Sequence, residues 1–534
     1  MVKQISELRL PRSTRGWIML ITPLAIILLY VLIASYKLRF PGTMYDEALY
    51  VNSALGGVDK ITFFTKSLHG IPILLMPYIG ALKAYIFFPI FGLFGVSPIT
   101  MRLPDVLITA GALYIMYKLV REQAGYFLSI CVLLITAFNA SFIMFTRLDN
   151  GPVVLDFLLK ILALFSLLYF IKTYKLLYLS LFWLFMFLGE FNKLNFLWYV
   201  NAFTAAAVLI YGLSIWKDVK KPKRIKVIAI SVAGYVACIA YYLYINISMH
   251  LGSSFGFVGW NTIYIVLAPV VDGSWFYNYA LSPNNLSSPI IFWAQVVVIF
   301  LGTAIIGWRI YKNRTDFQSY KFYLLITLSL LLLLVQLSVT KQATAGWHYF
   351  SIFPLLGIVF ILALSQIVRA FLNKAAMLGS IIIGLVVIIF CIHQLYVYGR
   401  YASLYGKTPS NLIWSNAIYD LSQYTKQHKD AKFISMDWGT QTQLIGFDPV
   451  KSKYYEAFGP IAVNNSLLSQ DTFQQYISTK SNAYYITHTN NALVMKEQSR
   501  DFLRLAEYHG YEPVIVKEID DGSTPVFDIY RLNK

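Results

Sequence analysis

The stretch IPILLMPYIGALKAYIFFPIFGLFG, residues 71–95, decides the fold, because the side on which every later loop lies depends on whether it crosses a bilayer. It is apolar enough to do so, yet it carries Lys83 and the prolines Pro72, Pro77 and Pro89. Proline inside a helix removes a backbone donor and crowds the preceding turn. A spanning helix needs about 20 mostly apolar residues. Such runs lie elsewhere at roughly 17–35, 103–120, 124–146, 151–171, 194–214, 226–247, 289–308, 321–339, 350–368 and 376–396, with a shorter one at 177–189. The total is about 11 spans without residues 71–95.

Charge resolves the ambiguous stretch. Loops on the cytoplasmic side accumulate Lys and Arg. If 71–95 does not cross, the inner segments hold Lys3, Arg9, Arg12, Arg15, Lys118, Arg121, Lys172, Lys175, the run KDVKKPKRIK (217–226), Arg309, Lys312, Arg314, Lys321, Arg369 and Lys374. Their acids are Glu7, Glu122, Asp218 and Asp316 alone. If 71–95 crossed, KDVKKPKRIK would be exported. We therefore expect 71–95 to be a helix or helix pair in the outer interface, within a first outer loop of about 36–101. No small-residue cleavage site follows the first run, which reads as an uncleaved span.

Composition agrees. Hydrophobic residues make up 57% of the 534 and charged ones 13%, with mean hydropathy +0.59. A soluble domain carries about 25% charged residues, so an ordinary soluble enzyme and a disordered chain are both excluded. The net charge of +18 could signal nucleic acid, a membrane surface or acidic ligands. Its location at inner span ends makes it chiefly topology. Cys131, Cys238 and Cys391 fall in apolar runs without metal-ligand spacing, so neither a zinc site nor a disulfide framework is expected. From about residue 397 the pattern changes. KFISMDW, NAYYITHT, EPVIVKEI and TPVFDIYRL read as strands, and 411–428 and 494–509 as helices. The expected architecture is an all-α polytopic membrane domain over 1–396, with outer interfacial helices, followed by a small extracytoplasmic α/β domain over 397–534.

Acids are scarce in the membrane part. Asp46 and Glu47 follow the first span among aromatic and small residues, not in a solvated charge run. The ordinary reading is a helix N-terminal acid pair; the functional one is a general base. Asp156 and Lys160, at i and i+4, read as an ion pair within a span. His69, Arg102, Arg147, Lys193, Lys341 and His348 sit at outer span ends. Each alone reads as an interfacial anchor. Beside Asp46, Glu47, Asp105 and Asp149, the set suits a base with a phosphate clamp. The second outer loop, about 248–288, carries Trp260, Trp275, Tyr277 and Tyr279 with Asp272, and its aromatics read as an interfacial belt. No P-loop, HExxH, GxSxG or GxGxxG occurs in a suitable context.

In order along the chain, these residues resemble the GT-C superfamily of polyprenyl-phosphate-sugar glycosyltransferases, in particular the protein O-mannosyltransferases and the aminoarabinose lipid A transferases. The resemblance runs from Asp46-Glu47 with Tyr50, through His69 and Pro72, to Arg102-Leu103-Pro104. It continues with Arg147 and Asp149, Gly189 with Lys193, and Trp347-His348-Tyr349 with Pro354. It covers about residues 15–370 and rests on the order of the set. It implies that Asp46 is the catalytic base. Arg102 and Lys193 would support the lipid phosphate or the loop that binds it, and Glu47, His69, Arg147, Asp149 and His348 would join the substrate site. Gly70-Ile71-Pro72 departs from the lipid A transferase pattern, which has Lys-Pro-Pro there; His69, Lys66 or Arg147 would then substitute for the missing lysine.

The expected function is inverting transfer of a sugar from a polyprenyl or dolichyl phosphate to a lipid, glycan or protein acceptor on the outer face. The protein would sit in a plasma membrane, with its N-terminus cytoplasmic and its tail periplasmic or extracellular. No nucleic acid and no certain cofactor are implied, and a divalent metal is left open. Two rivals remain at this stage: a secondary transporter, whose groups would lie near the bilayer midplane, and a non-catalytic scaffold of the same fold.

Overall fold

The structure, a computed structural model, describes residues 14–55, 66–250, 256–280, 286–341, 345–372, 375–405, 415–448, 450–457, 482–489, 496–522 and 524–534. Helix α1 (Thr14–Ala34) turns Leu24, Leu28 and Leu32 outward, as a lipid-facing helix does. The outer segment follows: α2 (Tyr45–Leu55), the strands β1 (Lys66–Leu68), β2 (Ile71–Met76) and β3 (Ile79–Gly80), and α3 (Leu82–Phe94). Next come α4 (Pro98–Ala124), α5 (Tyr126–Ala137), α6 (Ala140–Leu148), α7 (Val153–Thr173), α8 (Leu176–Asn192), α9 (Leu197–Asp218) and α10 (Lys221–Met249). The membrane part ends with α11 (Trp260–Asp272), α12 (Trp275–Ala280), α13 (Pro289–Lys312), α14 (Asp316–Ser338), α15 (Gly346–Tyr349), α16 (Leu355–Phe371) and α17 (Ala376–Ser403).

Among the described residues, eight helices are long and apolar enough to cross a membrane. Two bent pairs bring the number to 10: α5 with α6 at 63°, and Gly346–Ile352 with α16 at 46°. The remaining expected run is α8, 17 residues long. Every expected span is thus helical, and the chain is a multi-pass membrane protein. The bends have local causes. Asn139 caps α6 by accepting from the Phe142 N–H at 2.9 Å. Pro354 disfavours helical backbone at Phe353.

Residues 71–95 correct the expectation of a helix or helix pair. Only Leu82–Phe94 is helical. At about 1.5 Å per residue its 13 residues reach about 20 Å, short of a hydrocarbon core of about 30 Å. Residues 71–80 instead form β2 and β3, and β1 joins them in a three-stranded antiparallel sheet. His69 and Gly70, at φ 48° and 81°, make the left-handed two-residue turn that a tight hairpin needs. Pro72 and Pro77, the β-branched Ile71 and Ile73, and this turn outweigh the helix-like apolarity. Gly80 is required by contact: a Cβ there would collide with the Phe191 carbonyl.

The C-terminal part comprises α18 (Ala417–Gln427), β4 (Lys432–Ser435), α19 (Thr440–Phe447), β5 (Tyr454–Glu456), β6 (Ala483–His488), α20 (Lys496–Tyr508), β7 (Glu512–Asp521) and β8 (Thr524–Asn533). The sheet order is β5-β4-β6-β8-β7, with β5, β4 and β6 parallel and the β7–β8 hairpin antiparallel. All four expected strands are present; β5 is additional. Residues 411–414 and 494–495 of the expected helices lie outside the described residues. The expected boundary at 396/397 falls inside α17, which continues to Ser403 and places Tyr401 and Tyr405 in the membrane core.

The α/β part does not stand apart. One apolar cluster joins Leu49 and Tyr50 of α2, Leu75 and Ile79 of the hairpin, and Ile418, Leu421, Phe433 and Leu444. The aromatics of the second outer loop also depart from expectation. Trp260 is exposed, but Trp275 and Tyr277 are buried, with Trp275 stacked on Phe145 at 5.2 Å.

Candidate active site

The loop after α1 is held by side chains rather than by secondary structure. Buried carbonyls need donors, and here each carbonyl from Tyr36 to Gly42 has one. Arg147 donates to the carbonyls of Tyr36, Lys37 and Phe40 at 3.1, 3.0 and 2.7 Å. Arg102 donates to Leu38, Pro41 and Gly42 at 2.6, 2.8 and 3.2 Å. The Tyr419 hydroxyl donates to Arg39 at 2.8 Å. The next carbonyl, that of Thr43, accepts from Gln443 at 2.6 Å.

This loop delivers α2, whose first turn holds Asp46 and Glu47. Glu47 is buried and takes Arg102 in a bidentate pair, at 2.6 and 2.8 Å, and also the Met44 N–H at 2.9 Å. All five guanidinium N–H groups of Arg102 are therefore engaged. Asp46 is only half-buried and accepts no hydrogen bond from the described residues. Burial raises its carboxyl to about 6; the Lys193 ammonium pulls it down and the Glu47 carboxylate pushes it up.

Lys193 ends α8, bridged in β fashion to Ile79 of the hairpin. Its buried ammonium donates to the Gly151 carbonyl at 2.8 Å, and among the described residues no carboxylate lies within 4.0 Å of it. Gly151, at φ +78°, is pressed between Lys193 and Trp347: a Cβ there would sit 2.9 Å from the Lys193 Nζ and 3.4 Å from the indole. His348 is half-buried beside Trp347 and Trp198, and its Nδ1 has no hydrogen-bond partner.

A second buried group adjoins the first. Lys83 of α3 donates to Asp105 at 2.8 Å and to Asp149, with the Tyr50 ring 4.7 Å from its ammonium. Asp149 also accepts the Val154 N–H at 2.7 Å, starting α7. Several buried polar atoms in this region have no protein partner: Tyr50 Oη, Asp105 Oδ1, both amide atoms of Asn150, and Asn192 Oδ1. Such atoms are costly unless something pairs them, and their clustering makes this the buried polar region nearest Asp46 and Lys193 where hydrogen-bonding capacity is left unused. Among the described residues no three His, Cys, Asp or Glu side chains converge as metal ligands.

Of the residues singled out in the sequence, the fold brings Asp46, Glu47, Arg102, Asp149, Lys193 and His348 to this outer region, with Arg147 beneath the loop. His69 does not join them; it is exposed in the hairpin turn. Asp156 and Lys160 form no ion pair: Asp156 accepts from Asn192 at 2.8 Å, and Lys160 lies between the Phe196 and Tyr199 rings. Asn192 lies opposite Asp156 and competes successfully for it. Sequence reasoning missed Lys83, treating it only as a break in an apolar run. It also missed Trp438, whose ring lies 4.4 Å from that of Tyr45, and the buried Asp437–His488 pair at 2.7 Å just behind it. A lone charge in an interfacial stretch was the one available signal for Lys83.

No family model matches this sequence, and no curated protein does. Solved structures do share its fold. ArnT from Cupriavidus metallidurans bound to undecaprenyl phosphate superposes with TM-score 0.54 at 12% identity, over 97% of this chain and 98% of that one. The same protein in the apo state gives 0.54 at 13% identity, over 96% and 98%. The Archaeoglobus fulgidus oligosaccharyltransferase in the apo form gives 0.50 at 12% identity, over 92% and 73%. The chain has the GT-C fold of these proteins, from its first span through its C-terminal sheet.

Proposed function

We propose that the protein is an integral-membrane, inverting glycosyltransferase that moves a sugar from a polyprenyl or dolichyl phosphate to a hydroxyl-bearing acceptor on the outer face. The observation that carries this reading is the Asp46 carboxylate, which accepts no hydrogen bond from the described residues, in the field of a buried Lys193 ammonium that Asp46, Asp149 and Asp156 reach only from beyond ion-pair distance. Asp46 takes the proton of the acceptor hydroxyl as its oxygen attacks the anomeric carbon. The bond from that carbon to the phosphate oxygen breaks, and the lipid phosphate leaves with the electron pair. Lys193 stabilises the departing anion. Direct displacement inverts the centre and needs no protein nucleophile. Glu47, Arg102 and Arg147 act by fixing the loop that carries Asp46. Lys83, Asp149 and Tyr50 form the adjoining buried polar group and His348 stands beside Trp347, while His69 has no part in the site. A fold shared with a protein solved with undecaprenyl phosphate supports the donor class. The basic inner loops support a cytoplasmic N-terminus and a C-terminal part outside.

The test uses purified protein in detergent, a panel of polyprenyl-phosphate sugars and a membrane extract as acceptor source. Native protein should release free lipid phosphate together with a glycosylated product. Asp46→Asn should lower the rate by about 100-fold or more while the protein remains folded. Full activity in that variant overturns the assignment of the base. Detergent also separates transfer from transport, which needs a sealed compartment.

A further inference from the structure

The opposite membrane face carries a polar cavity, of about 590 Å³, where the far ends of α4, α7 and α9 meet the start of α14. The candidate active site lies at the other ends of these same helices, so the two are a membrane thickness apart. The polar lining is Gln123, Ser214, Lys217, Gln318, Ser319 and Lys321. Lys321 is buried, donates to the Ser214 hydroxyl and packs against the Tyr211 and Phe317 rings at 5.4 and 5.6 Å. Among the described residues no carboxylate lies within 4.0 Å of Lys321 or Lys217. The cavity's acid, Asp218, is engaged by the Tyr174 hydroxyl at 2.8 Å. Two ammonium groups against one carboxylate leave a single positive charge, and Lys321, whose direct contacts are a hydroxyl and two rings, feels Asp218 only from beyond ion-pair distance, which leaves it under-compensated.

The wall indicates what completes it. Leu209 and Leu213 line the cavity and are 67% and 76% exposed on the face of α9. In a bilayer that face meets acyl chains, so the cavity opens sideways into lipid at headgroup depth. Basic pockets between span ends suit anionic headgroups. We propose that this cavity binds the phosphodiester headgroup of an anionic glycerophospholipid, with Lys321 and Lys217 on the phosphate, the serine and glutamine side chains on headgroup hydroxyls, and the acyl chains along Leu209 and Leu213. This site is independent of sugar transfer.

Native mass spectrometry of the purified protein tests it, with phosphatidylglycerol and phosphatidylcholine added in equal amounts. One phosphatidylglycerol should be retained in preference to phosphatidylcholine, and Lys321→Met combined with Lys217→Gln should reduce that retention at least tenfold. Lys217→Gln alone, at an exposed position that folding tolerates, should reduce it several-fold. Lys220→Gln, outside the cavity, should leave it unchanged. Equal retention of the two lipids overturns the proposal, as does an equal loss in Lys220→Gln, which would indicate general surface attraction. A separate arm adds inorganic phosphate alone and reads the melting temperature. Stabilisation equal to that given by phosphatidylglycerol would make the ligand a free anion and overturn the lipid assignment.

Discussion

Asp46 and Glu47 are adjacent on the first turn of α2, and the roughly 100° of helix rotation between them gives the two carboxylates different chemistry. Glu47 points into the protein and is saturated by Arg102 and the Met44 N–H. Asp46 is half-buried and accepts no hydrogen bond from the described residues. Removing one partner of a buried pair leaves an uncompensated charge, worth about 3–5 kcal/mol. Arg102→Met should therefore lower the melting temperature sharply and reduce expression. Asp46→Asn removes an unpaired carboxylate, so its melting temperature should match or exceed that of the native protein. Both are read by thermal unfolding in detergent. The pH dependence follows from the same contrast. Asp46 must be ionised to accept a proton, and its carboxyl is raised to about 6. The rate at low substrate should rise through about pH 6 as the base ionises, then level off on the alkaline side of that limb. A limb near pH 4 would place the base in a more solvated site. Sequence singled out Asp46 because an acid pair among aromatics is unusual. It could not separate the roles of the two acids, nor find Lys83, whose meaning depends on folding α3 between residues 105 and 149.

At the scale of elements, charge patterning speaks to which side a segment lies on but not to what structure it takes there. The charge pattern led to a non-crossing 71–95, and the structure has no helix there long enough to span a bilayer. The basic inner loops carry no information about the two prolines and the left-handed His69-Gly70 turn, which convert its first half into a hairpin. That hairpin matters to the site, because β3 meets Lys193 and fixes the end of α8. Gly151 closes the same region from the α6–α7 side. Gly151→Ala would place a methyl group against the Lys193 ammonium in a backbone conformation that favours glycine. Transfer should fall by about tenfold or more, with KM for the lipid donor rising as the cation is displaced. Unchanged donor KM would detach Lys193 from phosphate binding.

At the scale of the molecule, eleven apolar runs and the strand-rich tail were legible because spans need length and apolarity, and strands need alternation. The fusion of the tail with the outer loop was not, since the apolar faces of α18 and α19 look like those of any soluble α/β domain. Asn52 donates to the Thr442 carbonyl at 2.7 Å, and Gly446 packs on Ala48. A chain ending after Tyr405 should therefore insert in the membrane yet expose residues 45–55 to rapid amide exchange and proteolysis, with transfer lost. Native-like protection of α2 in that truncation would show that the loop needs only the membrane part.

The seven occupied carbonyls of residues 36–42 also impose an order on biosynthesis. Arg39 and Thr43 wait for partners that follow them by 376 to 400 positions, Tyr419 and Gln443. Asp46 leaves the ribosome early, but the loop that carries it is completed only after the α/β part has folded against it. A nascent chain short of Gln443 carries the proposed base on an unfinished support, so the proposed site matures only once the C-terminal part is in place.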